Sequence, residues 1–209
     1  MPYLPDAALL ASLRARLQPG RRFMLGLAGA PGAGKSTVAQ ALLEAFGGRA
    51  VVVPMDGFHL ANSELARLGL AHRKGAPCTF DASGYVALLE RLRRRPDGGI
   101  IYAPEFRRDI EEAIAGAIAV PDDVELVITE GNYLLLDDEP WRGVREQLDE
   151  TWYVDVDPDL RRARLVERHM RFGRSEQAAR DWVEGTDEPN ARLIEATRTR
   201  AHRVLHLED

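Results

Sequence analysis

Only one cysteine, Cys78, stands in the 209 residues, so no intramolecular disulfide can form and a reducing, cytoplasmic setting is the expectation. Long apolar runs are also missing: none approaches the ~20 residues a helix needs to cross a bilayer, and no membrane partner is expected. The opening stretch MPYLPDAALLASLRARL mixes acid and base early and has no extended apolar core, so it does not read as a signal peptide. Basic charge is in deficit, with 28 Lys and Arg against 33 Asp and Glu and a net charge of −5. That balance disfavours a nucleic-acid partner, whose phosphates are neutralised by a net basic face. His and Cys residues at metal-ligand spacing are absent. What remains is an ordinary globular composition, 45% hydrophobic and 29% charged, of a length that suits one domain over residues 1–209.

Along the chain, residues 6–17 carry leucines at helical spacing (Leu9, Leu10, Leu13, Leu17) and stop at Pro19-Gly20. Short apolar runs of the kind that form buried parallel strands follow at Phe23–Ala28, Val51–Val53, Ile100–Tyr102 (ended by Pro104), Leu126–Thr129 and Trp152–Val156. Helical patterns cover Val38–Phe46 and Gly84–Arg94, a basic helical segment runs from Pro158 to Arg174, and two more helices precede a closing strand at Val204–Leu207. Strands separated by such crossovers predict an α/β fold with a parallel sheet of about five strands covered on both faces. There is no internal repeat or linker.

The turn after the first strand reads Gly29-Ala30-Pro31-Gly32-Ala33-Gly34-Lys35-Ser36, with Thr37 next. This is the G-x-x-x-x-G-K-[ST] spacing of a phosphate-binding P-loop, and its place between a buried strand and an amphipathic helix is the context that such a loop needs. The glycines let successive N–H groups turn toward a polyphosphate, and the helix that follows adds the positive end of its dipole. Lys35 is expected on the β- and γ-phosphates and the Ser36 hydroxyl on Mg²⁺, which makes Mg-ATP the expected cofactor. A dinucleotide loop is excluded, because the G-x-G-x-x-G spacing fails at Thr37.

P-loops serve switches, motors and kinases. A GTPase carries an N-K-x-D guanine reader and a transporter ATPase an S-G-G-Q-like signature, and neither is present. A kinase acting on a small metabolite remains. The segments GAPGAGKST, VVVPMDGFHL, RKGAPCTFD, YAPEFRR, ITEGNYLLL and RLVERHMRFGR, in that order, resemble the uridine kinase/phosphoribulokinase/pantothenate kinase family. Within it, MDGFHL and EGNYLLL look closest to bacterial fructose-transport-associated, nucleoside/nucleotide kinase-like proteins. The resemblance runs from about Arg22 onward. It implies a three-layer P-loop NTPase fold with a helical lid at about 158–180, and transfer of the γ-phosphoryl group of ATP to a hydroxyl of a small molecule. The acceptor stays open between a sugar such as fructose, a nucleoside and pantothenate. A nucleotide hydrolase and an ATP-sensing regulator are the competing classes, and the joint presence of Lys35, Asp56 and Glu130 speaks against the sensor. The oligomeric state is not legible; a homodimer is the base-rate expectation.

Asp56 follows the second strand, at the carboxyl edge where open α/β sheets bind ligands. There it can take the acceptor hydroxyl's proton, the role the resemblance assigns to the matching aspartate; alternatively Asp56-Gly57 is a turn pair. Glu130, ending the fourth run, is the expected second Mg²⁺ group, with Asn132 beside it as a substrate or water-shell contact. His59, three residues past Asp56, either touches substrate or caps the turn. Arg161, Arg164, Arg168 and Arg171 share one helical face by spacing, and the family pattern favours Arg164 and Arg168 as the lid arginines on ATP and the transferring phosphoryl group. Arg73 and Arg108 are expected on the substrate side, although Arg107 stands where relatives more often carry an acid. Cys78, Trp141, Trp152 and Trp182 read as structural.

Overall fold

The computed structural model describes residues 6–95 and 99–207; the outermost residues of the expected 1–209 domain, 1–5 and 208–209, lie outside them. Its centre is a parallel sheet of β1 (Phe23–Ala28), β2 (Ala50–Val52), β5 (Leu126–Gly131), β6 (Glu150–Val156) and β7 (Arg203–Leu207), in the order β2-β5-β1-β6-β7. All six residues of β1 are buried, as befits a central strand covered on both faces.

Side-chain alternation divides those strands between two cores. Leu25, Leu27, Ile128, Trp152 and Val154 face α1 (Ala7–Arg16) and α2 (Lys35–Phe46), joining Leu9, Leu13, Val38 and Leu42. Met24, Ala28, Val127 and Tyr153 point the other way, into a larger cluster with Tyr85, Leu88, Leu89 and Leu92 of α4 (Ala82–Arg94), Val144 of α5 (Arg142–Glu146) and Ile194 of α8 (Glu188–Glu195). The three layers thus follow from a period of two in the strands set against a period near 3.6 in the helices. α4 starts where the Asp81 carboxylate accepts from Gly84 N at 2.8 Å. Likewise α6 (Pro158–Arg171) starts where Asp157 accepts from the amides of Asp159 and Leu160, with Pro158 in the first turn.

One expected sheet strand belongs elsewhere. Ile100–Tyr102 was expected as a parallel strand stopped by Pro104; instead β3 (Ile101–Arg107) runs through Pro104 and pairs antiparallel with β4 (Glu112–Val120) as a separate two-stranded hairpin. The ladder changes register between Ala103 and Glu105, so the proline, which has no N–H, sits where pairing is already interrupted. The fifth sheet strand is the closing run, β7, beside β6. After α6 the chain forms α7 (Glu176–Trp182), a π-turn at Val183–Asp187 and α8 without a break. Among the described residues, no helix is long and apolar enough to cross a membrane.

Candidate active site

The loops leaving β1, β2 and β5, neighbours in the sheet, open into one cleft of about 910 Å³. On its floor the phosphate loop turns at Gly32 (φ +80°) and Gly34 (φ +93°), conformations that disfavour any residue with a Cβ. A Cβ at Gly32 would also lie 2.8 Å from Leu165 Cγ and 3.1 Å from Arg161 O, so the loop is packed directly on α6. Lys35 is buried, and its ammonium donates to Gly29 O (2.9 Å), Ala30 O (3.0 Å) and Asn132 Oδ1 (2.8 Å). Burial draws its pKa down to about 8; Glu130 and Asp56 oppose the fall, and Arg168 and Arg108 add to it.

Ser36 Oγ donates to Glu130 Oε1 at 2.9 Å, joining the first turn of α2 to the end of β5. Burial raises the Glu130 pKa, as does Asp56, while Lys35 and Ser36 pull it back. A hydroxyl and a carboxylate in contact beside a lysine are the oxygen donors that a hard divalent cation on a polyphosphate takes, so the residues present fit Mg-ATP. Beneath them lies a buried relay: the Tyr85 hydroxyl donates to Thr129 Oγ1, which donates to Val53 O at 2.6 Å. It ties the last turns of β5 and β2 together, fixing Glu130 relative to the turn that carries Asp56.

Asp56 sits in a 3-10 turn, Met55–Phe58, held against the hairpin so closely that a Cβ on Gly57 would lie 2.4 Å from Pro104 O. Its carboxylate accepts from Arg108 at 3.0 Å. His59 caps this turn, its Nδ1–H donating to Asp56 O at 2.8 Å, and its ring lies between Phe80 and Phe106 (centroids 4.0 and 4.5 Å). Burial lowers the His59 pKa, so the ring is neutral and Nε2 is left as an acceptor. Of the two readings offered for His59, the turn contact is what the structure shows, and the ring also lines the cleft.

Arg73 is a correction. It is exposed and does not line the cleft, which takes Lys74 from this segment instead. The 3-10 turn Ala71–Arg73 ends just before it, and Lys74 Nζ reaches Asn62 Oδ1 (2.7 Å) and lies 5.1 Å from the Phe106 ring centroid. The arginines of α6 also separate. Arg164 and Arg168 line the cleft, whereas Arg161 is buried in an ion pair with Glu188 and Arg171 is an exposed partner of Glu167 at 3.1 Å. Four residues spread over about three turns of a 3.6-residue helix drift around it, and of these four only the middle two line the cleft. Burial and the nearby Arg108 lower the Arg168 pKa, and Arg168 lies within electrostatic range of Asp187, Asp56 and Glu130.

Pro31, Gly32, Gly34, Ser36 and Thr37 all line the cleft, as do Asp56, His59, Arg108, Glu130 and Asn132. Ala30 and Ala33 are buried beneath it. The far wall was not expected: Trp182, which read as structural, lines the cleft with Thr186, Asp187 and Asn190. Arg174 lies 3.9 Å over the Trp182 ring, and His169 Nε2 is 2.7 Å from Asp187 Oδ2. Trp141 and Trp152 are core residues, as their apolar settings suggested.

Comparison with known proteins agrees with this geometry. A crystal structure named "putative fructose transport system kinase" from Silicibacter sp. TM1040 superimposes with a TM-score of 0.85 at 41% identity, covering 95% of this chain and 98% of that one. A Schizosaccharomyces pombe protein named "Putative uridine kinase C227.14" is 35% identical over 86% of this chain and 80% of its own. The pantothenate kinase of Lacticaseibacillus casei is 31% identical over 72% of this chain and 50% of its own. The family model described as "Phosphoribulokinase / Uridine kinase family" matches residues 24–206, which takes in the sheet but for the first residue of β1 and the last of β7, together with the phosphate loop, Asp56 and Glu130. The chain therefore belongs to the phosphoribulokinase/uridine kinase family, and it is an ATP-dependent kinase that works with Mg²⁺.

Proposed function

We propose that the chain moves the γ-phosphoryl group of ATP to a hydroxyl of a small polar metabolite, with Asp56 as the base, in a cytoplasmic setting where ATP is supplied. The observation that carries this is that the Asp56 carboxylate lines the same cleft as Lys35, Ser36 and Glu130, just past the end of β2, which β5 separates from the strand leading into the phosphate loop. In this reading Asp56 accepts the proton from the acceptor hydroxyl as that oxygen bonds to the γ-phosphorus and the bond to the ADP oxygen breaks. Arg108, now on the Asp56 carboxylate, holds it in place until the acceptor arrives.

Lys35 and the backbone N–H groups of the phosphate loop (Pro31 has none) would hold the phosphates, while Ser36 and Glu130 would hold the metal. When bound, Mg²⁺ neutralises charge on the β- and γ-oxygens. Arg164 and Arg168 close over the transferring group from α6, and the wall they complete keeps water from the γ-phosphate. His59, Lys74, Arg108 and Asn132 bind the acceptor. A sugar such as fructose is the preferred acceptor, supported by the likeness to the structure named "putative fructose transport system kinase"; uridine and pantothenate follow.

The test is ADP release from Mg-ATP against fructose, uridine and pantothenate, for the wild type and Asp56→Asn. Acceptor-dependent release that disappears in the variant supports the reading. Release indifferent to acceptor and variant would make the protein a hydrolase.

A further inference from the structure

Beyond the phosphate loop and Asp56, the cleft is lined by a wall whose residues Trp182, Thr186 and Asn190 have no role in the reaction as described. That wall is one rod, α7, the π-turn and α8, with Trp182, Thr186 and Asn190 at four-residue intervals along its cleft side. Helices wound i→i+5 are rare and are found most often at functional sites. Here the wide turn buries Asp187, only 7% exposed, against His169 and leaves Thr186 on the cleft.

Both Thr186 and Asn190 are half-buried. Among the described residues, neither the Thr186 hydroxyl nor the Asn190 carboxamide has a hydrogen-bond partner. The charged neighbours, by contrast, are engaged: Asp187 with His169, Glu188 with Arg161, and Arg174 on the face of Trp182. Their polar atoms are not sealed from solvent but open onto the cleft, so a ligand's polar group can take the place of water on donors and acceptors that no protein group occupies.

We propose that Thr186 and Asn190 are specificity-determining residues, hydrogen-bonding an uncharged polar group of the acceptor, a hydroxyl or an amide, remote from the oxygen that is phosphorylated. This rests on the kinase reading given above. The chemistry favours a neutral group on two counts. A hydroxyl and a carboxamide each both donate and accept, which matches another hydroxyl or amide. An anion placed here would meet the Asp187 carboxylate, and a cation would meet Arg168 and Arg174. The buried Arg161–Glu188 pair links the start of α8 to the helix on which the phosphate loop rests, so the wall keeps a fixed distance from the reacting end.

Steady-state kinetics of Thr186→Val, Asn190→Leu and Thr186→Ser with fructose, uridine and pantothenate as acceptors test this. Loss of one neutral hydrogen bond that binds ground and transition state alike raises the acceptor KM by about 3- to 10-fold and leaves kcat within about 3-fold. Val and Leu are expected to do this without moving the KM for ATP by more than about 2-fold, and Ser, which keeps the hydroxyl, is expected to stay near wild type. An unchanged acceptor KM in the Val and Leu variants, or an equal rise in the KM for ATP, would overturn the proposal and make the wall a packing element. If Thr186→Val loses ATP binding altogether, Asn190→Leu alone decides. A wild type that binds Mg-ATP but phosphorylates none of the three acceptors would overturn the acceptor choice made above, and this inference with it, while leaving the family assignment intact.

Discussion

Lys35 is held by three acceptors, Gly29 O, Ala30 O and Asn132 Oδ1, and none of them is a full anion. Its ammonium is therefore poorly compensated until phosphates arrive, which is why burial lowers its pKa to about 8. The charged form binds the nucleotide, so affinity for Mg-ATP is expected to be level below about pH 8 and to fall by about tenfold per unit above it. Titration of a non-hydrolysable ATP analogue between pH 6.5 and 9.5 checks this; a flat profile would mean that Lys35 keeps its proton throughout. Asp56→Asn preserves shape and removes the base, so kcat is expected to fall by about 10²- to 10⁴-fold, with the KM for ATP changed far less. Rapid-quench measurement of the first turnover separates that loss from slow product release. At this scale the sequence was highly legible: Lys35, Ser36, Asp56 and Glu130 all sit where a strand end and a motif put them. Arg73, expected on the substrate side, is exposed while its neighbour Lys74 lines the cleft, because which of two adjacent cations faces inward turns on the phase of a three-residue 3-10 turn, which no spacing reveals.

Among the elements, the hairpin β3–β4 and the rod α7–π–α8 were the least legible. β4 carries the run EAIAGAIAV, with four Ala and one Gly, so strand propensity is weak, and because Ala and not a polar residue alternates with Ile114, Ile118 and Val120 no polar face sets off the buried one. Pro104 pointed to a strand end, yet it occupies the register shift at which pairing is already broken. The cleft face of the rod was hidden because Trp182, Thr186 and Asn190 keep their four-residue phase only if one turn is wound wide. Strands Phe23–Ala28 and Leu126–Gly131, in contrast, announce themselves by burial on both faces. The hairpin's seat offers a test. Gly57→Ala puts a methyl group 2.4 Å from Pro104 O and 2.8 Å from its carbonyl carbon, backbone that cannot rotate away. A loss of about 1–3 kcal/mol in urea-induced unfolding is expected, with a raised acceptor KM because Phe106 and Arg108 move with the strand. Tyr85→Phe, which leaves Thr129 without its buried donor, is expected to lower stability by about 1 kcal/mol by the same assay.

For the molecule as a whole, the nucleotide cleft joins parts distant in sequence, from the phosphate loop near residue 30 to Asn190. Ligand bound across it therefore stabilises the whole fold. At about 100 times its Kd, a Mg-ATP analogue contributes about 2.7 kcal/mol, which for a chain of this size is a rise in Tm of about 5–10 °C. Differential scanning fluorimetry of wild type and Lys35→Ala reads this directly, and a variant that shifts as much as the wild type would place the nucleotide elsewhere. The sheet order has one more implication. The proposed base Asp56, the proposed metal carboxylate Glu130 and Lys35 of the phosphate loop follow or end β2, β5 and β1, three adjacent strands whose spacing of about 4.8 Å is set by backbone pairing and not by side chains. The acceptor-facing wall and hairpin lie outside that trio, so inheritance can rewrite the substrate while the phosphoryl-transfer gauge is passed on unaltered.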